Sequence, residues 1–180
     1  GWFVGQDLGA AASYSPQSAQ KLFRLVGRGH GAWLSKNVKV SIEKIRASTA
    51  PGITDYGTFS IVMRMLKDTD TNVQVLERFD NLTLDPSSPN FVARRLGDVY
   101  HQWSDTTRRL TQYGEYPNQS KYVYVDMNED VEMGATDATL LPFGYYGPPK
   151  FTDVTSWDGH TGSAAVQSRY IDISTLPFGT

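Results

Sequence analysis

The stretch Asn81-Leu-Thr-Leu-Asp-Pro-Ser-Ser-Pro-Asn-Phe-Val-Ala-Arg-Arg-Leu-Gly-Asp98 decides the fold class, because it joins a strand, a turn and a helix in one run. Asp85-Pro86 favours a turn that ends the strand. Ser88 is typical of a helix N-cap, and Pro89 suits the first helical position, where its missing N–H is harmless. The run therefore predicts a strand followed directly by a helix that begins near Pro89.

The predicted helix has a polar side and an apolar side. Arg94, Arg95 and Asp98 fall largely on the polar side, which faces water. The opposite side is expected to pack against a sheet, and its residues recur at roughly helical spacing: Phe91, Val92, Leu96, Val99 and Tyr100.

Alternating apolar and polar residues predict several strands before this helix. Residues 38–42 alternate in the manner of a half-exposed strand. Residues 59–65 and 73–79 have the same period and are separated by the polar segment 68–72. The two segments therefore predict a β-hairpin.

Four other segments complete the predicted order of elements. Residues 2–4 predict a short strand, and residues 121–127 predict a strand that returns to the sheet. Residues 21–28 fit either a helix or a strand that is buried on both faces. Residues 105–113 predict a continuation of the helix or a second short helix.

Together these patterns predict an α+β fold, with a mainly antiparallel sheet or a two-layer β arrangement flanked by a few short helices. Residues 1–20 are an extended or loop lead-in, and residues 21–133 are the α+β domain. Residues 134–180 are rich in Gly, Pro and aromatic residues, which predicts a loop excursion packed on the same domain.

Composition argues against several classes of function. A formal net charge of −2 over 180 residues gives no basic surface by bulk charge, so direct nucleic-acid binding is not expected. The chain has no cysteine, which removes disulfides and thiolate metal sites. No apolar stretch approaches the roughly 20 residues of a membrane helix, so no membrane partner is expected.

Candidate catalytic groups do not form a recognisable motif. His30, His101 and His160 are the acid–base candidates, but none adjoins a Gly-x-Ser-x-Gly nucleophile motif. The segment Asp158-Gly-His-Thr-Gly-Ser-Ala-Ala165 combines Gly, His and Ser and is interpreted as a turn. A Ser-His-Asp site assembled from distant residues stays open, because its members need not be close in sequence.

Residues 68–72 imitate the opening of a calcium loop, since oxygen-bearing side chains occupy alternate positions. Val73 stands where such a loop requires Gly, and Glu77 comes too early for the last, bidentate ligand. The segment is therefore predicted to be a solvated hairpin tip. No catalytic, cofactor-binding or metal-binding residue is assigned, and no cofactor is expected.

Two kinds of residue are candidates for contacts between subunits. The rigid segment 145–149, with adjacent tyrosines and two prolines, loses little conformational entropy on contact. Two pairs of adjacent arginines are either solvated helix charges or groups suited to bidentate recognition of carboxylates. The six candidate contact residues are Arg94, Arg95, Arg108, Arg109, Tyr145 and Tyr146.

The run 81–98 resembles a segment of the tail sheath proteins of contractile-tailed bacteriophages, and three other segments agree with it. Arg28-Gly-His-Gly-Ala-Trp-Leu-Ser-Lys-Asn-Val-Lys-Val-Ser-Ile42 is similar to the family's small-residue turn, Trp, polar pair and strand. Tyr56-Gly-Thr-Phe-Ser-Ile-Val-Met-Arg64 is similar to the strand that follows. Arg108-Arg-Leu-Thr-Gln-Tyr-Gly-Glu-Tyr-Pro-Asn-Gln-Ser-Lys-Tyr-Val-Tyr-Val125 is similar to a charged helix that leads to a returning strand.

The resemblance spans about residues 22–127 and implies a fragment or middle domain of a sheath subunit. Leu34-Ser35 stands where many relatives carry a Gly-Asn pair. The implied partners are identical sheath subunits in a helical tube, the inner tail tube protein, and the baseplate and tail terminator proteins. The implied location is the virion tail, with assembly in the host cytoplasm. Sheath contraction would drive the inner tube through the host envelope.

Two other classes of function stay open. A phage or cell-surface β-rich domain that binds carbohydrate or a receptor would account for an aromatic content of 12%. Such a domain would present aromatic rings in one plane on an exposed face. A hydrolase would require one of the three histidines within hydrogen-bond reach of a Ser and a carboxylate.

Overall fold

The computed structural model describes residues 1–6, 8–9, 18–29 and 31–147. None of the helices in these ranges is both long and apolar enough to traverse a lipid bilayer. The elements of the described residues, in chain order, are β1 (Trp2–Val4), β2 (Lys21–Gly27), α1 (Gly31–Asn37), β3 (Val38–Arg46), β4 (Thr58–Met65), β5 (Val75–Leu82), α2 (Val92–Leu96), β6 (Tyr100–Ser104), β7 (Arg109–Tyr113), β8 (Val123–Met127), α3 (Glu129–Glu132) and β9 (Gly144–Tyr146).

Four strands form one antiparallel sheet in the order β8-β2-β1-β9. The register of β2 and β8 is regular and places Leu25 opposite Val125. Leu22 and Phe23 at the start of β2 are fully buried, whereas its later residues are half-buried or exposed. The segment 21–28 is therefore a strand, which decides between the two predicted alternatives, and only its first part is buried on both faces.

A second antiparallel sheet contains β3, β4 and β5, with β4 in the middle. Phe59, Ile61 and Met63 lie on one face of β4 and are buried. β4 is buried because it has a strand on each side and the core beneath it. The sheet confirms the strand predicted at 38–42 and the hairpin predicted across the segment 68–72.

Helix α1 stands where a small-residue turn was expected before β3. Ser35 Oγ donates a hydrogen bond to the Ala32 carbonyl at 3.2 Å, and Asn37 Nδ2 donates to the Trp33 carbonyl at 2.8 Å. No residue of α1 is buried. The helix therefore has no buried apolar side. A helix is predicted from apolar residues that recur on one side, so the sequence contained no sign of α1.

The two sheets share one hydrophobic core. The rings of Phe3 and Phe23 stack with 5.0 Å between centroids, and the Phe23 ring lies 6.0 Å from that of Phe59 in the second sheet. Val92 and Leu96 of α2 are fully buried in the same cluster. The fold is thus α+β, with mostly antiparallel sheets and a few short helices, as predicted.

Helix α2 begins later than predicted, at Val92. Ser88 is not its N-cap, because the Ser88 hydroxyl accepts a hydrogen bond from Asn90 N at 3.2 Å within a turn. Phe91 is the residue before the helix, and a parallel bridge to Thr83 holds it in an extended conformation. The chain consequently cannot enter the helix at the proline where the sequence predicted its start.

Helix α2 also ends earlier than predicted, at Leu96. Gly97 adopts a φ of 97°, in the left-handed region that favours glycine. A Cβ at this position would lie 2.2 Å from the Cα of Asn118, so a side chain has no room here. Val99 and Tyr100, which were predicted on the apolar side of the helix, therefore lie outside it.

Residues 105–113 do not form the predicted helix. β6 and β7 instead pair as an antiparallel hairpin, with Trp103 opposite Leu110. Arg108 lies in the turn with a φ of 48°, which reverses the chain direction. The charged residues that suggested a helix surface belong to this turn and to the first position of β7.

The segment predicted as a loop excursion contains a strand at its described end. Gly144–Tyr146 form β9, which pairs with β1. A Cβ on Gly144 would lie 2.8 Å from the Val4 side chain, so glycine permits this close pairing. Residues 148–180, with the turn interpreted at 158–165, lie outside the described residues.

Candidate subunit interface

The β6–β7 hairpin forms a two-stranded sheet of its own. All of its strand residues are exposed except Ser104 and Thr111, which are half-buried. A two-stranded hairpin is only marginally stable in water by itself. Its conformation must therefore depend on contacts at its base.

Hydrogen bonds between the two segments at the base fix the hairpin to the body of the domain. The side-chain amide of Asn118 donates to the Val99 carbonyl at 2.6 Å, and its Oδ1 accepts from Val99 N at 3.2 Å. Asp98 Oδ1 accepts from Tyr116 N at 2.6 Å. These bonds tie the residues before β6 to those after β7, which sets the direction in which the hairpin leaves the domain.

Aromatic stacking supports one face of the hairpin. The Tyr100 ring stacks with those of Tyr113 and Tyr124, at centroid distances of 5.2 Å and 5.5 Å. Tyr124 belongs to β8, so this contact joins the hairpin face to the four-stranded sheet. Since successive strand residues point to opposite faces, the second face of the hairpin is turned away from these rings.

The second face is apolar and exposed. Trp103 is 56% exposed and Leu110 is 63% exposed, and the two residues stand directly opposite each other. The indole N–H of Trp103 donates to Asp105 Oδ1 at 2.9 Å, which limits the orientations of the ring. Neighbouring exposed apolar side chains on a held hairpin are typical of a contact surface.

The turn at the far end of the hairpin carries two of the candidate arginines. Arg108 and Arg109 are both exposed. Within the described part of the chain, neither guanidinium has an ion-pair partner. Their five N–H donors apiece remain available for carboxylates of another molecule.

The other two arginines lie on α2 and differ from each other. The Arg94 guanidinium lies over the Tyr116 ring, 5.1 Å from its centroid, and its Nη2 is 3.5 Å from the Tyr116 hydroxyl. Arg95 is exposed in the same helix. The structure therefore places one pair on α2 beside the hairpin base and the other pair, Arg108-Arg109, at the hairpin turn.

The two candidate tyrosines lie on β9, at one edge of the four-stranded sheet. Tyr145 is 60% exposed, and the centroid of its ring lies 5.3 Å from the centroid of the Phe3 ring. Tyr146 stands opposite Trp2 in the ladder. Both tyrosines are thus held by a strand, where the sequence predicted a proline-stiffened loop.

Sequence reasoning missed an acidic surface on the short helix α3. Asn128 caps this helix by accepting a hydrogen bond from Asp130 N at 3.1 Å. Glu129, Asp130 and Glu132 follow, and Met133 at its end is 75% exposed. The signal was present, since an Asn followed by acidic residues is typical of a helix start.

The carboxylates of this surface repel one another. The pKa of the Glu132 carboxyl is raised, first by desolvation and then by the charges of neighbouring carboxylates, which are those of Asp98, Glu115, Asp126 and Glu129. Asp126 is paired with Arg24. The three acidic residues of α3 have no ion pair among the described residues. This surface therefore favours contact with a cation.

Residues 69–72 are exposed, as predicted for a solvated hairpin tip, but the first residue of the segment, Asp68, is buried. The Asp68 side chain is fully buried and accepts from Arg64 Nε at 2.7 Å and from Gln74 N at 2.9 Å. Lys39 Nζ pairs with the same carboxylate. These partners hold the pKa of the Asp68 carboxyl well below its usual range, with the Arg64 hydrogen bond as the largest cause. Asp68 therefore belongs to a buried ion-pair network, whereas the rest of the segment lies in solvent.

The described residues bring no catalytic or metal-binding group together. His101 is exposed on β6 and has no hydrogen bond to a Ser or a carboxylate there. His30 and His160 lie outside the described residues. In the described ranges, no group of three or more His, Cys, Asp and Glu residues is placed to hold a metal ion.

Several aromatic rings stack face to face on one another. The Trp33 and Tyr122 rings lie 6.0 Å apart with planes 12° from parallel. The tyrosine stack at the hairpin base has the same character. Carbohydrate recognition uses ring faces that point to solvent, and stacked rings cover part of those faces.

No family model, no curated protein and no solved structure matches the chain.

Proposed function

We propose that this chain is a structural domain of a contractile tail sheath subunit, which packs with identical copies in a helical tube around an inner tail tube. The proposal begins from the resemblance of four segments within residues 22–127. The observation that supports it most is the exposed β6–β7 hairpin. It is held at its base and carries apolar and cationic side chains with no role in the core.

The proposed mechanism is mechanical. Subunits in an extended sheath make one set of contacts, and contraction exchanges these contacts for another set. The energy comes from the difference between the two sets of interfaces. Such a subunit requires a body that does not deform, together with side chains on its surface that can change partners.

The elements of this chain comprise a buried core and a set of exposed side chains, which correspond to these two requirements. The two sheets and α2 share a continuous core, with side chains such as Phe59 and Leu96 almost fully buried. Arg95, Arg108 and Arg109 are exposed, and Tyr145 and Tyr146 border the four-stranded sheet. In the proposed sheath, the core is the rigid body, and these surface residues contact neighbouring subunits, the tube or the baseplate.

Immunoelectron microscopy of phage particles from the source culture tests the proposed function. Antibodies against the recombinant chain are expected to label contractile tails along their whole length, at the regular repeat of the sheath. The same antibodies absorbed with the chain provide the control. Labelling confined to tail fibres would favour the receptor-binding alternative, and unlabelled tails would contradict the proposal.

A further inference from the structure

The hairpin and α3 each present an exposed apolar side chain near charged residues, with arginines on the hairpin and carboxylates on α3. The hairpin surface consists of Trp103 and Leu110, on the face away from the tyrosines, with Arg108 in the adjoining turn, whereas Arg109 lies on the tyrosine face. The α3 surface consists of Met133 beside the carboxylates of the same short helix. Each surface has an exposed apolar centre, and the hairpin surface also includes Asp105, which accepts the hydrogen bond of the Trp103 indole.

The arginines of the hairpin lie at the end opposite its base. Each strand has five residues, which gives a hairpin about 17 Å long at about 3.4 Å per residue. Arg108 and Arg109 lie at its turn. The Asp98 and Glu115 carboxylates lie at its base, close enough to Glu132 to act on its charge. The arginines of the turn are therefore separated from these two carboxylates by the length of the hairpin, although Asp105 lies in the turn and Arg94 and Arg95 lie beside the base.

We propose that the hairpin turn of one copy binds the α3 surface of a second copy. Trp103 and Leu110 pack on Met133, and Arg108 in the turn faces the carboxylates of α3. This inference rests on the proposed function for its place in a tail. It names the partner surface for the hairpin, which the resemblance does not provide.

A second copy is the occupant that the charges favour. In the described residues, the arginines of the turn and the acidic residues of α3 lack partners within their own chain. A methionine thioether is a favourable neighbour for an indole ring. Because the contact joins two different surfaces, each copy can bind one neighbour with its hairpin and another with α3. Repetition of such a contact produces an open helical assembly unless the rotation between copies closes a ring.

The absence of cysteine from the chain permits a clean cross-linking test. Purified full-length Leu110→Cys and Met133→Cys variants are mixed at high concentration with a mild oxidant. The mixed disulfide is expected to form about ten-fold faster than with a Val73→Cys partner, because a specific contact raises the effective thiol concentration. Val73 is a matched control, since it is apolar and 49% exposed.

Two results of this experiment would overturn the inference. One is an equal rate with Met133→Cys and Val73→Cys partners. The other is a Leu110→Cys homodimer that forms faster than the mixed dimer, since this would indicate a symmetric contact between hairpins. Mass spectrometry of the linked peptides identifies which pair has formed.

A charge exchange tests the ionic part of the contact. Arg108→Glu with Arg109→Glu, placed in the Leu110→Cys copy, is expected to slow cross-linking about ten-fold through like-charge repulsion. Glu129→Lys with Glu132→Lys in the Met133→Cys copy is expected to restore the rate. Failure of the second pair to restore it would contradict the contact. The replaced side chains are exposed, and circular dichroism of each variant checks its fold.

The cross-linking and labelling experiments fail independently. Labelled tails without the mixed disulfide would retain the sheath proposal and remove this contact. A specific mixed disulfide with unlabelled tails would retain the contact and remove the sheath proposal.

Discussion

The β4–β5 and β6–β7 hairpins have the same antiparallel topology, but the first is packed in the core and the second is exposed. The first has β4 in the middle of a sheet and covered by the core, and its turn carries Asp68 in a buried ion-pair network. The second has no further strand beside it, and its turn carries Arg108 and Arg109 without ion-pair partners among the described residues. The comparison shows that one charged turn is paired within the fold and the other is exposed, which leaves the second turn free for the proposed contact.

The largest expected difference between the hairpins concerns their apolar side chains. Phe59→Ala is expected to lower the free energy of unfolding by about 3–5 kcal/mol, because it leaves a cavity in the core. Trp103→Ala is expected to lower it by about 0.5 kcal/mol, because much of that ring is already in water. Chemical denaturation of both variants measures the two values. Similar losses would mean that the hairpins do not differ as described.

The arginine beside the first turn is expected to contribute more to stability than the arginine beside the second turn. Arg64→Ala leaves Asp68 buried without its main partner, so the denaturation midpoint is expected to fall clearly. Arg109→Ala removes an exposed charge and is expected to leave the midpoint nearly unchanged. A stability loss at Arg109 equal to that at Arg64 would assign the second turn a folding role and weaken the interface assignment.

Acid is expected to weaken the first hairpin. Hydrogen bonds from Arg78 and Ser60 lower the pKa of the Asp80 carboxyl from 3.8 to about 2, and the pKa of Asp68 is lowered as well. A lowered pKa contributes stability that is complete above the ordinary value and is lost as pH falls through the folded value. Unfolding free energies measured between pH 5 and 2 should therefore decrease, and Asp80→Asn should reduce this dependence on pH.

The α3 surface is expected to respond to pH in the opposite direction. A raised pKa means that the charged Glu132 carboxylate disfavours the fold at neutral pH, and that protonation relieves this cost as pH falls. Glu132→Gln is therefore expected to raise the unfolding free energy at pH 7 modestly and to weaken cross-linking to the hairpin turn. A loss of stability at pH 7 would show that the carboxylates do not repel one another.

The smallest expected effects distinguish two polar residues near helix starts. Ser88→Ala should change the unfolding free energy by at most about 0.5 kcal/mol, because its hydroxyl bonds only within a turn. Asn128→Ala should cost about 1 kcal/mol, because Asn128 caps α3. Thermal denaturation of the two variants compares them. The reverse order would restore Ser88 as the helix cap.

Burial explains which parts of the fold the sequence predicts. The strand at 38–42 and the hairpin built on β4 were predictable because apolar residues recur with the period of a strand. Phe91, Val92 and Leu96 were correctly expected in the core, since they are apolar and lie close together in sequence. The α+β class follows from these segments.

Local departures from the usual sequence patterns explain the incorrect secondary-structure predictions. β6 and β7 are exposed on both faces, so no buried period identified them as strands. Arg108 adopts a left-handed conformation without being glycine, which gave no turn signal. The bridge between Phe91 and Thr83 is a contact across the turn that overrides the local preference for a helix at Pro89.

The candidate contact residues were chosen by chemical type, and their positions came from the fold. An Arg-Arg pair looks the same in sequence on a helix and at a hairpin turn, yet only Arg108 and Arg109 lie at the end of the hairpin that exposes Trp103 and Leu110. The start signal of α3 was present at Asn128, but the proximity of Asp98 and Glu115 to Glu132 is created by the fold. Sequence spacing does not report such proximity.

Helical reconstruction of labelled tails by cryo-electron microscopy tests the central claim most directly. The account predicts that every subunit in the sheath wall contains the β8-β2-β1-β9 and β3-β4-β5 sheets, with the β6–β7 hairpin in contact with a neighbouring subunit. Absence of these two sheets from the wall would contradict the proposed function. Their presence with the hairpin facing solvent in both extended and contracted tails would contradict its role as a subunit contact.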